Sequence, residues 1–229
     1  MKLNSTKNII IGILLLATEQ LGLTQGFINL AFESAKIIPI NDSPQYPYGI
    51  ATTNALPGWT VYLGGNPTAA ITYNDPTVGS TWASLVASNA PYMSPISGKY
   101  SVLLQGGLSL PSATISQTGL VPVGTESLLF EAQQNGVGTL QVLLGGQNLT
   151  FFAIVGGLNY TLYGVAASAF AGQVETLSFS ALQVSSYVND WNIDNIQFSS
   201  TPVPEPGILS LSALGGVLFG LRRRKRTSR

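Results

Sequence analysis

The sequence predicts an all-β domain, a single β-sandwich, and three observations point to it. Between Phe27 and Ser200 short β-prone runs recur, separated by clusters of Gly, Pro, Asn and Ser. No long stretch of 3.6-residue periodicity interrupts them. The middle of the chain, about 175 residues, is large enough to bury one core without disulfides. Taken in order, the strand candidates are 71–73, 100–104, 113–116, 128–132, 139–144, 159–164, 176–184 and 193–198. Within 176–179 Leu177 and Phe179 alternate with Thr176 and Ser178, the mark of a half-buried strand. Ile196 and Phe198 repeat that spacing in the last run. Gly106-Gly107, Gly136, Gly145-Gly146 and Gly156-Gly157 punctuate the runs as turns. Residues 81–88 alone have a helical flavour, cut short by Pro91. Ser199 to Val203 reads as a short linker.

Composition removes most catalytic chemistry. The 229 residues include no Cys and no His. There is therefore no disulfide framework, no thiolate nucleophile, no imidazole base and no Cys- or His-ligated metal. Only 9% of residues are charged, against ~25% in ordinary soluble domains. The net charge of zero hides segregation: six of the ten basic residues fall in 222–229. Between 27 and 201 two lysines face eight acids, a net charge of −6. An acidic middle does not attract nucleic acid, so the terminal basic run is not a DNA patch.

Both ends have the pattern of membrane segments. Lys2 and Lys7 precede the apolar run 9–17, and 1–26 reads as a signal peptide with an N-terminal signal helix, cut after Gly26 or, alternatively, after Thr24. At the other end Val203, Pro204, Glu205 and Pro206 precede the fifteen-residue apolar run 207–221 and the basic tail 222–229, which includes Arg222, Arg223 and Arg224. A helix of that length rises roughly 22 Å, short of the ~30 Å hydrocarbon core, and thinning of the bilayer with snorkelling arginines lets it span. The basic flanks place both ends in the cytoplasm and everything between them outside. The organisation expected is 1–26 signal peptide, 27–200 ectodomain and 201–229 sorting tail with a transmembrane helix.

This tripartite tail resembles the PEP-CTERM sorting signal, also known as the ice-binding protein C-terminal motif. The resemblance implies recognition by exosortase, an integral-membrane protease/transpeptidase of Gram-negative bacteria that make exopolysaccharide. Val203, Pro204, Glu205, Pro206 and the arginines Arg222, Arg223 and Arg224 are then recognition residues. It implies export through the Sec translocon, anchoring in the inner membrane by the C-terminal helix, and release to the cell surface or medium after processing.

The middle resembles the galactose-binding-like jelly rolls, the fold of many non-catalytic carbohydrate-binding modules. The pieces that carry this are Asn29 with Phe32-Glu33 as a first strand, Pro57-Gly58-Trp59, Gly172-Gln173 followed by 174–179, and 191–198 as the closing strand. The resemblance implies a structural Ca²⁺ held by Glu33 and Asp194 with backbone carbonyls. Ca²⁺ takes six to eight hard oxygens and needs no His or Cys; the competing role for both acids is bonding to backbone amides or to Lys36. For a polysaccharide partner, Tyr46, Tyr48 and Trp82 are the candidate stacking residues, whereas Trp59 and Trp191 flank strand patterns and read as core. Eight acids in the middle carry no recognisable catalytic motif, so an exported carboxylate-based hydrolase ranks third. The chain reads as a non-catalytic, exported cell-surface or matrix protein, with a calcium-bearing carbohydrate-binding module as the alternative.

Overall fold

The computed structural model describes residues 25–40, 49–75, 80–91, 93–183 and 189–203. The expected signal and transmembrane helices lie outside them. Among the described residues no helix is long and apolar enough to cross a membrane. The strands, in chain order, are β1 Gly49–Ala51, β2 Thr60–Leu63, β3 Asn66–Pro67, β4 Ala70–Tyr73, β5 Trp82–Ala87, β6 Tyr100–Gln105 and β7 Ser112–Leu120. They continue as β8 Ser127–Gly136, β9 Leu140–Leu144, β10 Gln147–Asn148, β11 Phe152–Gly156, β12 Thr161–Ala166, β13 Val174–Leu182 and β14 Asn189–Ser199. One helical turn, Thr52–Ala55, and a 3-10 turn, Ser168–Phe170, complete them.

Two sheets form a sandwich. One has the order β1-β4-β5-β6-β14-β8-β12-β11 and the other β10-β9-β13-β7-β2-β3. From β6 onward the chain crosses repeatedly between them, staying in one sheet only for the hairpins β9–β10 and β11–β12. β14 lies between β6 and β8, and β13 between β9 and β7, all antiparallel, which is the strand order of a jelly roll. The pair β4–β5 is parallel. Alternation explains the core: Leu128, Phe130 and Ala132 of β8 and Leu177, Phe179 and Ala181 of β13 are buried between the sheets. The Phe130 ring lies 5.2 Å from Phe179, 5.3 Å from Phe151 and 5.4 Å from Tyr163.

Three local expectations are corrected. Residues 28–33 are not a strand: Asn29 and Phe32 adopt φ of 52° and 57°, and the segment turns. It still meets the other fragment expected beside it. Trp59 Nε1 donates to the Asn29 carbonyl at 3.1 Å, and Asn29 Nδ2 donates to that of Pro57 at 3.3 Å. Residues 82–87 are the strand β5, not a helix. Ala83 and Leu85 face the core, while Ser84 and Val86 are buried on the other side too, so no alternation reveals the strand. Ser199 to Val203 is not a free linker. The Ser199 carbonyl accepts the Glu126 N–H at 2.8 Å, and the Thr201 carbonyl accepts the Ser127 hydroxyl at 2.7 Å.

Strand β14 contains a bulge. Asp194 pairs with Glu131, but Gln197 pairs with Leu129, one residue too many on β14. Asn195 takes it up at φ 45°. The bulge resets the alternation: Trp191 and Ile193 point to the core before it, and Ile196 does so after it.

The two ends of the described chain lie at one pole. The Gln25 carbonyl accepts the Leu120 N–H at 3.0 Å, Gly26 bridges Leu120, and the Phe27 and Phe198 rings lie 5.0 Å apart. Gln25 thus flanks the end of β7, and Ser199 to Thr201 flank the start of β8, on either side of the turn 121–126.

Candidate functional site

At that pole the chain leaves β14, crosses the start of β8 through the Thr201–Ser127 bond and reaches β12 at Val203, the last of the described residues. There Val203 lies on the outer face of the eight-stranded sheet. A Cβ built on Gly164 would sit 2.9 Å from Val203 Cγ2, 2.6 Å from Ile154 Cδ1 and 3.0 Å from Leu129 Cδ2. The missing side chain at Gly164 makes the hollow that Val203 fills.

The same outer face carries the acidic residues. Glu33 and Asp194 both bond the turn Ser97 to Tyr100. Glu33 Oε1 accepts the N–H groups of Lys99 (2.8 Å) and Tyr100 (3.2 Å). Asp194 Oδ2 accepts the Ser97 N–H at 3.0 Å and its hydroxyl at 3.4 Å, and Asp194 Oδ1 accepts the Asn195 N–H at 2.7 Å. Asn195 Nδ2 donates to Ser97 Oγ at 2.8 Å and to Glu131 Oε2 at 2.9 Å. Gly98, at φ 56°, gives the turn its sharpness, and a Cβ there would strike the Glu33 carboxylate. Burial pushes the Asp194 carboxyl up to about 7, the amides of Asn195 and Ser97 pull it down, and the Glu131 charge raises it.

Ca²⁺ needs oxygens aimed at the ion, whereas these carboxylates receive N–H groups. The ion would have to displace those bonds to enter. Among the described residues no group of three or more acids gathers in a way that could hold a metal. Glu33 Oε1 and both Asp194 oxygens are thus engaged by N–H groups.

Farther along this face lies a polar groove. Outward-facing residues run across four strands in the row Trp82, Gln105, Asp190, Asn135. Gln105 Nε2 donates to Asp190 Oδ1 at 3.3 Å, and burial raises the Asp190 carboxyl against that bond. The segment after β5 folds over the next row: Asn192, fully buried, accepts the Ser101 hydroxyl at 2.7 Å and donates to the Ser94 carbonyl at 3.2 Å. Beside it a groove of about 450 Å³ opens between Ala90, Pro91, Met93, Ser94, Gln133, Asn135 and Asn159. A second hollow of about 300 Å³ shares Gln133 and Asn159 with it and adds Leu158 and Tyr160.

Of the expected stacking residues, Trp82 is half-buried on β5 at the end of the row, and Tyr46 and Tyr48 lie outside the described residues. Trp59 and Trp191 are core residues, as read from the sequence. Gln133, Asn135, Asn159 and Tyr160 were not foreseen. The β8 alternation was the available signal, since Leu128, Phe130 and Ala132 inward place Gln133 and Asn135 outward.

Comparison with known proteins bears first on the tail. Residues 202–226 match the PEP-CTERM protein-sorting motif. The chain carries this sorting motif and is a secreted protein, exported and processed through exosortase. Pro204, Glu205, Pro206 and the arginines Arg222, Arg223 and Arg224 fall within the match but outside the described residues, so of the recognition set Val203 alone is placed.

No curated protein matches the chain in sequence. Among solved structures the chain is similar to the carbohydrate-binding module TmCBM61 in complex with β-1,4-galactotriose, at 16% identity and TM-score 0.39, over 76% of this chain and 98% of that one. It is similar to the family 11 carbohydrate-binding module from Clostridium thermocellum, in complex with a β-1,3-1,4-mixed-linked tetrasaccharide, at 10% identity and TM-score 0.35, over 69% and 97%. It is also similar to the enzymatically active domain of bacteriophage CBA120 tailspike protein 4, at 14% identity and TM-score 0.36, over 62% of this chain and 19% of that one. The jelly-roll assignment stands on the strand order of this chain.

Proposed function

We propose that this is a non-catalytic protein of the cell surface or extracellular matrix. The Sec translocon exports it, its apolar tail holds it in the inner membrane until exosortase acts, and it then associates with extracellular polysaccharide. The observation that carries the reading is the sorting motif at 202–226, which begins only two residues after the last strand of a jelly roll. The position of Gln25 and Val203, the two ends of the described chain, at one pole supports it, because segments leaving from there can reach one bilayer without straining the sandwich. The test is mass spectrometry of the protein recovered from its host, with and without exosortase. The tail should be missing in the first case and intact in the second. The N-terminus should fall at Gln25, whose carbonyl bonds Leu120. An untrimmed chain free in the cytosol of the exosortase-bearing host refutes the reading.

The polar groove supports a second reading, that the domain itself binds a glycan. Amide side chains orient sugar hydroxyls, and Gln133, Asn135 and Asn159 line one groove. Affinity electrophoresis through host exopolysaccharide tests it. Retardation that Gln133→Ala and Asn135→Ala together abolish supports binding here, and free migration of the unaltered protein removes it.

A further inference from the structure

The sorting motif begins at residue 202, and its first two residues, Pro202 and Val203, lie among the described residues. The first residues of the motif therefore belong to the folded domain. Two contacts hold the chain here, one at Thr201 just before the motif and one at Val203 within it. The Ser127 hydroxyl, fully buried, donates to the Thr201 carbonyl at 2.7 Å. Val203 fills the hollow above Gly164, between Leu129 and Ile154. The tail crosses β8 to reach that hollow and does not leave straight from β14.

A protease binds its substrate as an extended chain, with several residues on each side of the bond to be cut. Here Pro204 follows directly on a seated residue, so the sheet occupies the space that an enzyme gripping the Pro204-Glu205-Pro206 box from its N-terminal side must enter. We propose that the Gly164 hollow is a latch on processing: with Val203 seated the box is withheld from exosortase, and release of 201–203 from the sheet is the step that admits the enzyme. The latch acts on substrate binding, before any bond is broken. Ser127, Leu129, Ile154 and Gly164 are positioning residues, since they touch the substrate segment and not the reacting atoms.

The inference rests on the exosortase reading above, and its test separates the two. The full chain is produced in an exosortase-bearing host, and conversion of precursor to processed form is followed by pulse-chase. Ser127→Ala removes the bond to Thr201, and processing should speed up about fivefold, the factor one ordinary hydrogen bond is worth. Gly164→Leu fills the hollow, expels Val203 and should speed it further. A tether does the opposite. The chain has no cysteine of its own, so Gly164→Cys with Val203→Cys creates a unique pair. The oxidised double variant should stay unprocessed, and reductant should restore processing, while each single cysteine variant is processed. General destabilisation cannot give this pattern, because the tethered chain melts higher and is cut less.

Should Gly164→Leu fail to fold, Ser127→Ala and the tether still decide. The latch is overturned if Ser127→Ala matches the unaltered chain, or if the oxidised double variant is processed at the unaltered rate. If the unaltered chain is never processed where exosortase is present, the exosortase reading falls, and the latch with it.

Discussion

Replacing Asp194 by asparagine should remove a pH dependence of stability. Burial and the neighbouring Glu131 hold the Asp194 carboxyl up to about 7, against an ordinary 3.8. The folded chain therefore keeps this proton to a higher pH than the unfolded chain does. Wherever the folded state binds more protons, stability falls as pH rises. The contribution is complete below about pH 4, is lost through pH 4 to 7, and is gone above that. Three pH units at ~1.4 kcal/mol each set a ceiling of about 4 kcal/mol. The groups around the carboxyl are Glu131 on β8, the Ser97 to Tyr100 turn with Lys99, and Glu33 on the far side of that turn. Asp190 titrates on the same sheet and is shared by both proteins, so the difference between them isolates Asp194. The assay is urea unfolding at pH 4 to 8, followed by fluorescence of the buried Trp59 and Trp191. The difference curve should fall between pH 4 and 7 and then flatten. A difference that is level across this range, or that rises with pH, refutes the assignment of a desolvated, proton-holding Asp194.

Other outcomes follow from the same structure. Phe130→Ala should cost about 3–5 kcal/mol, because its ring joins the two sheets through Phe179 and Phe151; denaturant unfolding measures it. Calorimetric titration with Ca²⁺ should be silent, since Glu33 and Asp194 already hold amides. A heat that Asp194→Ala abolishes would overturn that view. Single cysteines should report which pole meets the bilayer before processing. A dye on Val123→Cys, on the 121–126 turn between the two chain ends, should be quenched by nitroxide lipids in the precursor. A dye on Val137→Cys, at the opposite pole, should not.

Much of the fold was legible from residue types alone where one face is dry and the other wet. Leu177 and Phe179 announced β13 in this way, and the closing run announced β14. Where both faces are covered the signal vanished. Residues 82–87 carry apolar and small side chains on both sides because the segment after β5 lies over the sheet, so period two never appears. The bulge at Asn195 was invisible for a different reason. One left-handed residue shifts the parity of the strand, and the spacing of Ile196 and Phe198 reads the same with or without it. The candidate sites divide along the same line. Glu33 and Asp194 were named from the sequence and both bond the Ser97 to Tyr100 turn, but which atoms face them was not readable. Gln133, Asn135 and Asn159 form a groove only because β8 and the turn before β12 are neighbours in the sheet.

The sequence by itself determined what depends on order along the chain: a β domain from short runs between turn residues, the loss of His and Cys chemistry, and the sorting motif at 202–226. Such signals are one-dimensional, set by composition and spacing. The tertiary structure decided what depends on residues far apart in the chain. It set Glu33 Oε1 and Asp194 Oδ2 against the N–H groups of a distant turn, and it brought the two ends of the described chain to one pole. It also seated Val203 against Gly164, 39 positions away. Contacts of that kind come from packing two sheets face to face, and no local pattern encodes them.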